Sequence, residues 1–231
     1  MAKISPFDGR LMHLGEASDL LEYAKEIQTL LKLRWKQQEI AIAARCQDAG
    51  YSQEDFDSEY QFEEYQHTKY ELYLDGQLVI TAWSLLQGAV GHCAAFLAEH
   101  LNVQTKLSSL KAHRRPVEVI WQDYYENYLR TDWPLKNDHL EISRLRLLRN
   151  DYGHSLFFEP FSARARLAKI NLDKSPEESD LLYRIDEFAA LQGQGLPACE
   201  LASRLVDKMK THAATLLPHD GVSFSLWNRA D

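Results

Sequence analysis

The sequence predicts a mainly α protein, a helical bundle folded as a single domain over residues 1–231. Three observations lead there. Apolar residues recur at three- and four-residue spacing through long stretches, strong turn signals between those stretches are few, and one stretch, Gln77 to Ala98, contains no Asp, Glu, Lys or Arg. With 45% hydrophobic residues in 231, the chain can bury one sizeable core.

The N-terminal long helices are expected within residues 18–74. The first runs from about Ser18 to Ala49, with Ser18 as N-cap, Leu20, Leu21, Ala24, Ile27 and Leu31 on its apolar stripe, and Gly50 as its stop. Ser52 followed by Asp55 is a capping signal for a second, about Gln53 to Leu74, which carries Phe56, Tyr60 and an acidic run and should be half exposed.

Core and motif helices follow over residues 76–158. The charge-free stretch lies in a helix from about Gly76 to Asn102. It is long enough to span a bilayer, but Gln77, Thr81, Ser84, Gln87 and His92 interrupt it, so a helix buried on all sides is expected and no membrane. Gly88, Gly91, Ala95 and Ala98 form a strip that would let another backbone approach. Pro116 opens a helix from Val117 to about Arg130, whose Trp121, Tyr124, Tyr125 and Tyr128 are assigned to the core rather than to stacking on bases. Trp133-Pro134 breaks the chain, and Asp138 with Glu141 caps a helix from about His139 to Phe157.

The C-terminal part, residues 160–217, reads as a short β-hairpin and a helix. Arg166 to Leu172 and Leu181 to Phe188 would be strands around a turn at Lys174 to Ser179. Gly193, Gly195 and Pro197 then lead into a helix from about Ala198 to Leu217.

Net charge is -8, so the whole-molecule field would repel nucleic acid unless positive charge gathers locally. The distribution is uneven. Nine acids between Asp48 and Asp75 face only Lys69, whereas Arg144, Arg146, Arg149, Arg164, Arg166 and Lys169 stand against Glu141, Asp151 and Glu159. Cys46, Cys93 and Cys199 are too few and too scattered for a disulfide framework or a zinc spacing, which fits a reducing cytoplasm. The first residues, Met1 to Leu14, have no apolar core of a secretory signal.

Chemistry concentrates in Arg149-Asn150-Asp151-Tyr152-Gly153-His154. On a helix, Asn150 and His154 lie one turn apart, Arg146 one turn before them and Arg149 on the adjacent shoulder. Guanidinium grips a phosphate through two hydrogen bonds, and neutral imidazole accepts a proton near neutral pH. Those are the parts that attack of a 2'-hydroxyl on the adjacent phosphate requires.

This Arg-Asn-x-x-x-His arrangement resembles the signature of the HEPN superfamily of helical bundles, many of them metal-independent endoribonucleases of toxin-antitoxin, phage-defence and RNA-processing systems. The resemblance implies that Arg149 binds the scissile phosphate, Asn150 positions it or His154, and His154 is the general acid or base. It implies a homodimer that joins two motifs in one cleft, RNA as partner, an antitoxin protein as a second partner, and no cofactor or metal. The local excess of positive charge makes Arg144, Arg146, Arg164 and Arg166 the expected further contacts to RNA. In toxins regulated by nucleotidyltransferase antitoxins a tyrosine often stands two residues after the histidine; here that place is Leu156, which excludes tyrosine modification there.

Two other readings stay open. The motif could retain only binding, in a non-catalytic module for RNA, a nucleotide or a protein, or the chain could be a helical scaffold without a nucleic-acid role. Glu64-Tyr65-Gln66-His67 has the Glu-x-x-His spacing of carboxylate-bridged iron, but its second copy is missing, and His92 reads as a core histidine.

Overall fold

The computed structural model describes residues 16–110, 115–155 and 193–216. Five α-helices make up most of these residues: α1 (Glu16–Ala49), α2 (Gln53–His100), α3 (Val117–Asp123), α4 (His139–Ser155) and α5 (Gly195–Leu216). The protein is therefore mainly α, as its periodicity implies, and no strand occurs among the described residues. The expected hairpin at residues 166–188 lies outside them, as does Phe157, the expected end of α4.

Helix ends follow the local chemistry of their residues. Gly50 takes φ +65, which lets its N–H reach Gln47 O at 3.2 Å and the Tyr51 N–H reach Cys46 O at 3.0 Å, a Schellman closure of α1. Asn102 closes α2 in the same way, with φ 54 and a 2.8 Å bond from Val103 N to Ala98 O. At the start of α2, Ser52 and Asp55 cap each other reciprocally: Ser52 N donates to Asp55 Oδ2 at 3.1 Å and Asp55 N to Ser52 Oγ at 3.3 Å. The Ser52 bonds hold the Asp55 carboxyl below its usual range. Ser18, by contrast, lies inside α1 rather than at its cap.

Two expected helices are one. α2 continues through Asp75 and Gly76, where a break was expected between Leu74 and Gly76. A glycine inside a helix costs about 1 kcal/mol, and here tertiary contacts outweigh it. Asp75 is only 5% exposed, and its carboxylate accepts Gly193 N at 2.6 Å and Gly195 N at 3.0 Å, the N–H groups at the entrance to α5. The glycine at 195 is required by that approach. A Cβ there would lie 2.5 Å from Asp75 Oδ1 and 2.9 Å from Asp75 Cα, and backbone cannot give way cheaply. Gly195→Ala is expected to cost about 1–3 kcal/mol by overpacking, read as a lower urea midpoint with an unchanged slope.

The chain divides into two compact units, one of Met1–Leu20, Thr81–Arg146 and Cys199–Asp231, the other of Leu21–Ile80 and Leu147–Ala198. In the second, α1 and the first half of α2 run antiparallel. Trp35 stacks on His67 at 4.8 Å and meets Tyr60 edge-on, Tyr60 Oη donates to Glu39 at 3.0 Å, Gln38 bonds Glu63, and Arg45 pairs with Glu59 at 3.1 Å.

In the first unit the latter half of α2 is the central element. Val79 of the preceding turn and Ala82, Leu86, Val90, Cys93 and Ala94 are all fully buried, and Trp83 stacks on Trp121 of α3 at 5.6 Å. Burial raises the Cys93 thiol to about 12, so it is an inert core group rather than a nucleophile. The helix is not buried on all sides, as the missing charge suggested: Thr81, Ser84, Gln87 and Ala95 are exposed. The strip at Gly88 and Gly91 is not a close backbone contact either, since a Cβ at each would meet nothing within 4 Å. α2 is long and apolar enough to cross a membrane, but half of its most apolar window is buried, as in a core helix of a soluble protein.

α3 departs from a uniform helix to Arg130. After Asp123 the chain winds as a π-helix from Tyr124 to Leu129, and the Thr131 N–H closes it onto Tyr125 O at 3.0 Å. The wider turn buries Tyr124, Tyr125 and Leu129 together and leaves Tyr128 38% exposed, so three of the four stripe aromatics are core, counting Trp121. Asp138 and Glu141 engage α5: Arg204 reaches Asp138 at 3.1 Å and Glu141 at 2.5 Å, and Lys208 reaches both oxygens of Asp138 at 2.8 Å. The pair read as a cap also forms an ion-pair clasp between two helices.

Candidate functional site

α4 carries the motif, and α3 sets its first half. The two are joined by a polar seam in which His139 Nε2 lies 2.7 Å from Gln122 Oε1 and Ser143 Oγ donates to Glu118 Oε1 at 2.6 Å. Arg146 Nε donates to Glu118 Oε1 at 3.4 Å and lies 3.3 Å from Oε2. Glu118 is 2% exposed and its Oε2 has the attraction of the guanidinium but no hydrogen bond of its own. Ile142 and Leu145 fill the apolar side of the same turns.

Arg146 is therefore committed to a buried carboxylate. It has a structural role whatever else it contacts, because releasing it would leave the Glu118 charge buried and unpaired. Glu118→Ala is expected to cost about 1–3 kcal/mol, less than a fully buried pair since Arg146 can turn toward solvent, and thermal unfolding of the variant checks it. Arg144, on the next face, is exposed.

The motif itself occupies the last turns of α4, in its C-terminal half as its place in the sequence suggests. Arg149 is exposed, and its NH1 donates to Asn150 Oδ1 at 3.0 Å. Neighbouring helical side chains do not normally face each other, so the long arginine folds back along the helix to reach the amide. That bond orients the guanidinium and leaves its other N–H groups for a ligand. Asn150 and Asp151 are half-buried, and Tyr152 is fully buried, its hydroxyl pushed well above the usual range first by burial and then by the Asp75 charge. A Cβ at Gly153 would meet nothing within 4 Å. Leu147, one turn before the motif, is 52% exposed.

His154 is helical in its backbone; its side chain lies outside the described residues, as do Arg164 and Arg166. Of the expected site residues, Arg149 and Asn150 are in direct contact. The helix phase places His154 one turn beyond Asn150.

Sequence reasoning did not single out Glu118 and Ser143, which fix the helix carrying the motif. A carboxylate two residues after Pro116, in the first turn of a helix, reads as an ordinary dipole partner, and only the packing of α4 reveals its burial. His67, considered above for iron, lies 3.2 Å from Glu71 and stacks on Trp35. Among the described residues no three His, Cys, Asp or Glu side chains gather as a metal site. No protein-family model, curated protein or solved structure matches this chain.

Proposed function

We propose that the chain is a metal-independent endoribonuclease of HEPN type, a toxin or defence component acting in the cytoplasm on RNA. The observation that carries the reading is the exposed Arg149 guanidinium in the last turns of α4, bonded to Asn150, which itself stands one helical turn before His154. Arg149 would stabilise the negative charge that develops on the phosphorus centre, and Asn150 would hold the guanidinium in place. His154 would take the 2'-hydroxyl proton or deliver one to the leaving 5'-oxygen. The 2'-oxygen bonds to phosphorus as the bond to the 5'-oxygen breaks, which leaves a 2',3'-cyclic phosphate and a 5'-hydroxyl. Two proton transfers call for two histidines, so a second copy would supply the other motif, with Leu147 as an exposed apolar contact beside it. An antitoxin would act by covering the same face.

The test is incubation of purified protein with total RNA in excess EDTA, followed by analysis of the product ends. Cleavage to 2',3'-cyclic phosphate termini is expected; a requirement for divalent metal, or 5'-phosphate products, would overturn the reading.

A further inference from the structure

α1 carries two apolar stripes and buries one. Ala24, Trp35, Ile42 and Cys46 face α2, with Ala24 and Ile42 fully buried. On the opposite face Tyr23, Leu30, Leu33 and Ile40 are 52%, 61%, 52% and 71% exposed. Isolated surface leucines need no explanation, but these four repeat at steps of seven, three and seven residues, the heptad line of a coiled-coil seam. Gln37, also exposed, continues the line between Leu33 and Ile40, and Glu26 occupies the matching place between Tyr23 and Leu30.

The polar residues along the line select the occupant. Exposed Glu22 and Glu26 sit at its N-terminal end, whereas exposed Arg34 and Lys36 flank it beyond its middle, Arg34 also lying over the Tyr70 ring at 5.4 Å. A line that is acidic at one end and basic at the other complements itself when turned end for end. We infer that this face of α1 pairs antiparallel with the same face of a second copy of the chain. One register satisfies every layer: Leu30 against the partner's Leu33, Tyr23 against the partner's Ile40, and Glu26 against the partner's Gln37 with the partner's Lys36 alongside. The Glu26 and Gln37 layers are polar, and their match fixes the register as a buried polar pair does in coiled coils. A parallel pairing would instead set Arg34 and Lys36 of both copies side by side.

This pairing is a contact separate from the motif face and independent of the nuclease reading; a chain that used both would assemble as a tetramer. Sedimentation equilibrium of the wild type and of Leu30→Glu/Leu33→Glu tests it. The charge substitutions sit on exposed positions, so helicity by circular dichroism should hold while the mass halves, and Arg149→Ala should not break this contact. A wild-type monomer at tens of micromolar, or a mass indifferent to the α1 substitutions, overturns the inference whatever the RNA assay shows. Orientation is read separately by oxidative cross-linking, for which the buried Cys46, Cys93 and Cys199 give a quiet background. Tyr23→Cys mixed with Ile40→Cys should form a disulfide-linked pair, each variant alone should not, and cross-linking of Ile40→Cys to itself would refute the antiparallel arrangement.

Discussion

Replacing Arg149 or His154 by alanine is expected to lower the rate of RNA cleavage by about 10²–10⁴-fold with thermal unfolding little changed. The size follows from what each group would do in the transition state. A guanidinium aimed at charge that appears only as the phosphorus centre becomes crowded stabilises that state more than the bound substrate, so its loss should lower kcat and kcat/KM together. Arg149→Lys should recover little, because an ammonium lacks the planar fork that meets two phosphate oxygens at once. Asn150→Ala should cost less, about tenfold, since it frees the Arg149 side chain that now donates to the amide at 3.0 Å without removing its charge. Glu64→Ala and His67→Ala are the controls and should do little. Wild-type rates in a preparation of Arg149→Ala and His154→Ala combined would remove the nuclease assignment and leave the binding module in its place.

What the sequence made legible was whatever depends on neighbours in the chain. Gly50, Ser52 and Asp55 announced the turn between α1 and α2 because their caps close within five residues, and Trp133-Pro134 announced the break before α4. The motif was legible for the same reason, as a local pattern on one helix. What was hidden depends on partners far along the chain. Asp75-Gly76 reads as a helix break until Gly193 and Gly195, 118 and 120 residues away, supply the N–H groups that bury the carboxylate. Arg146 reads as a free cation until Glu118 is found beneath it, and the ion pairs of Asp138 and Glu141 stay hidden until Arg204 and Lys208 arrive from α5. The outer stripe of α1 was present in the sequence all along, but only the burial of the inner one shows that two stripes exist.

Removing the Asp75 carboxylate is the substitution expected to cost the fold most. Asp75→Ala leaves the Gly193 and Gly195 N–H groups without their acceptor at the entrance to α5, a loss of about 2–3 kcal/mol. Asp75→Asn should not rescue it, because an amide has one oxygen for two donors and would turn its NH₂ against an N–H. The pH dependence separates this account from a simple loss of packing. Burial raises the Asp75 carboxyl above its usual value, the Gly193 and Gly195 N–H groups oppose that, and the Glu71 charge adds to it, the net shift being upward. A carboxyl whose folded value lies above its unfolded one binds protons more readily when folded, so its contribution to stability is fully present below the unfolded value and is lost as pH rises through the folded one. The wild type should therefore exceed Asp75→Ala by more at acid pH than at neutrality, and by most below the usual carboxylate range. Urea midpoints of both proteins at pH 7 and at about pH 3.5, below the usual aspartate value, measure the difference. A gap that stays constant, or narrows toward acid, would mean that the carboxylate caps α5 as a fully solvated ion and that its burial has no electrostatic cost.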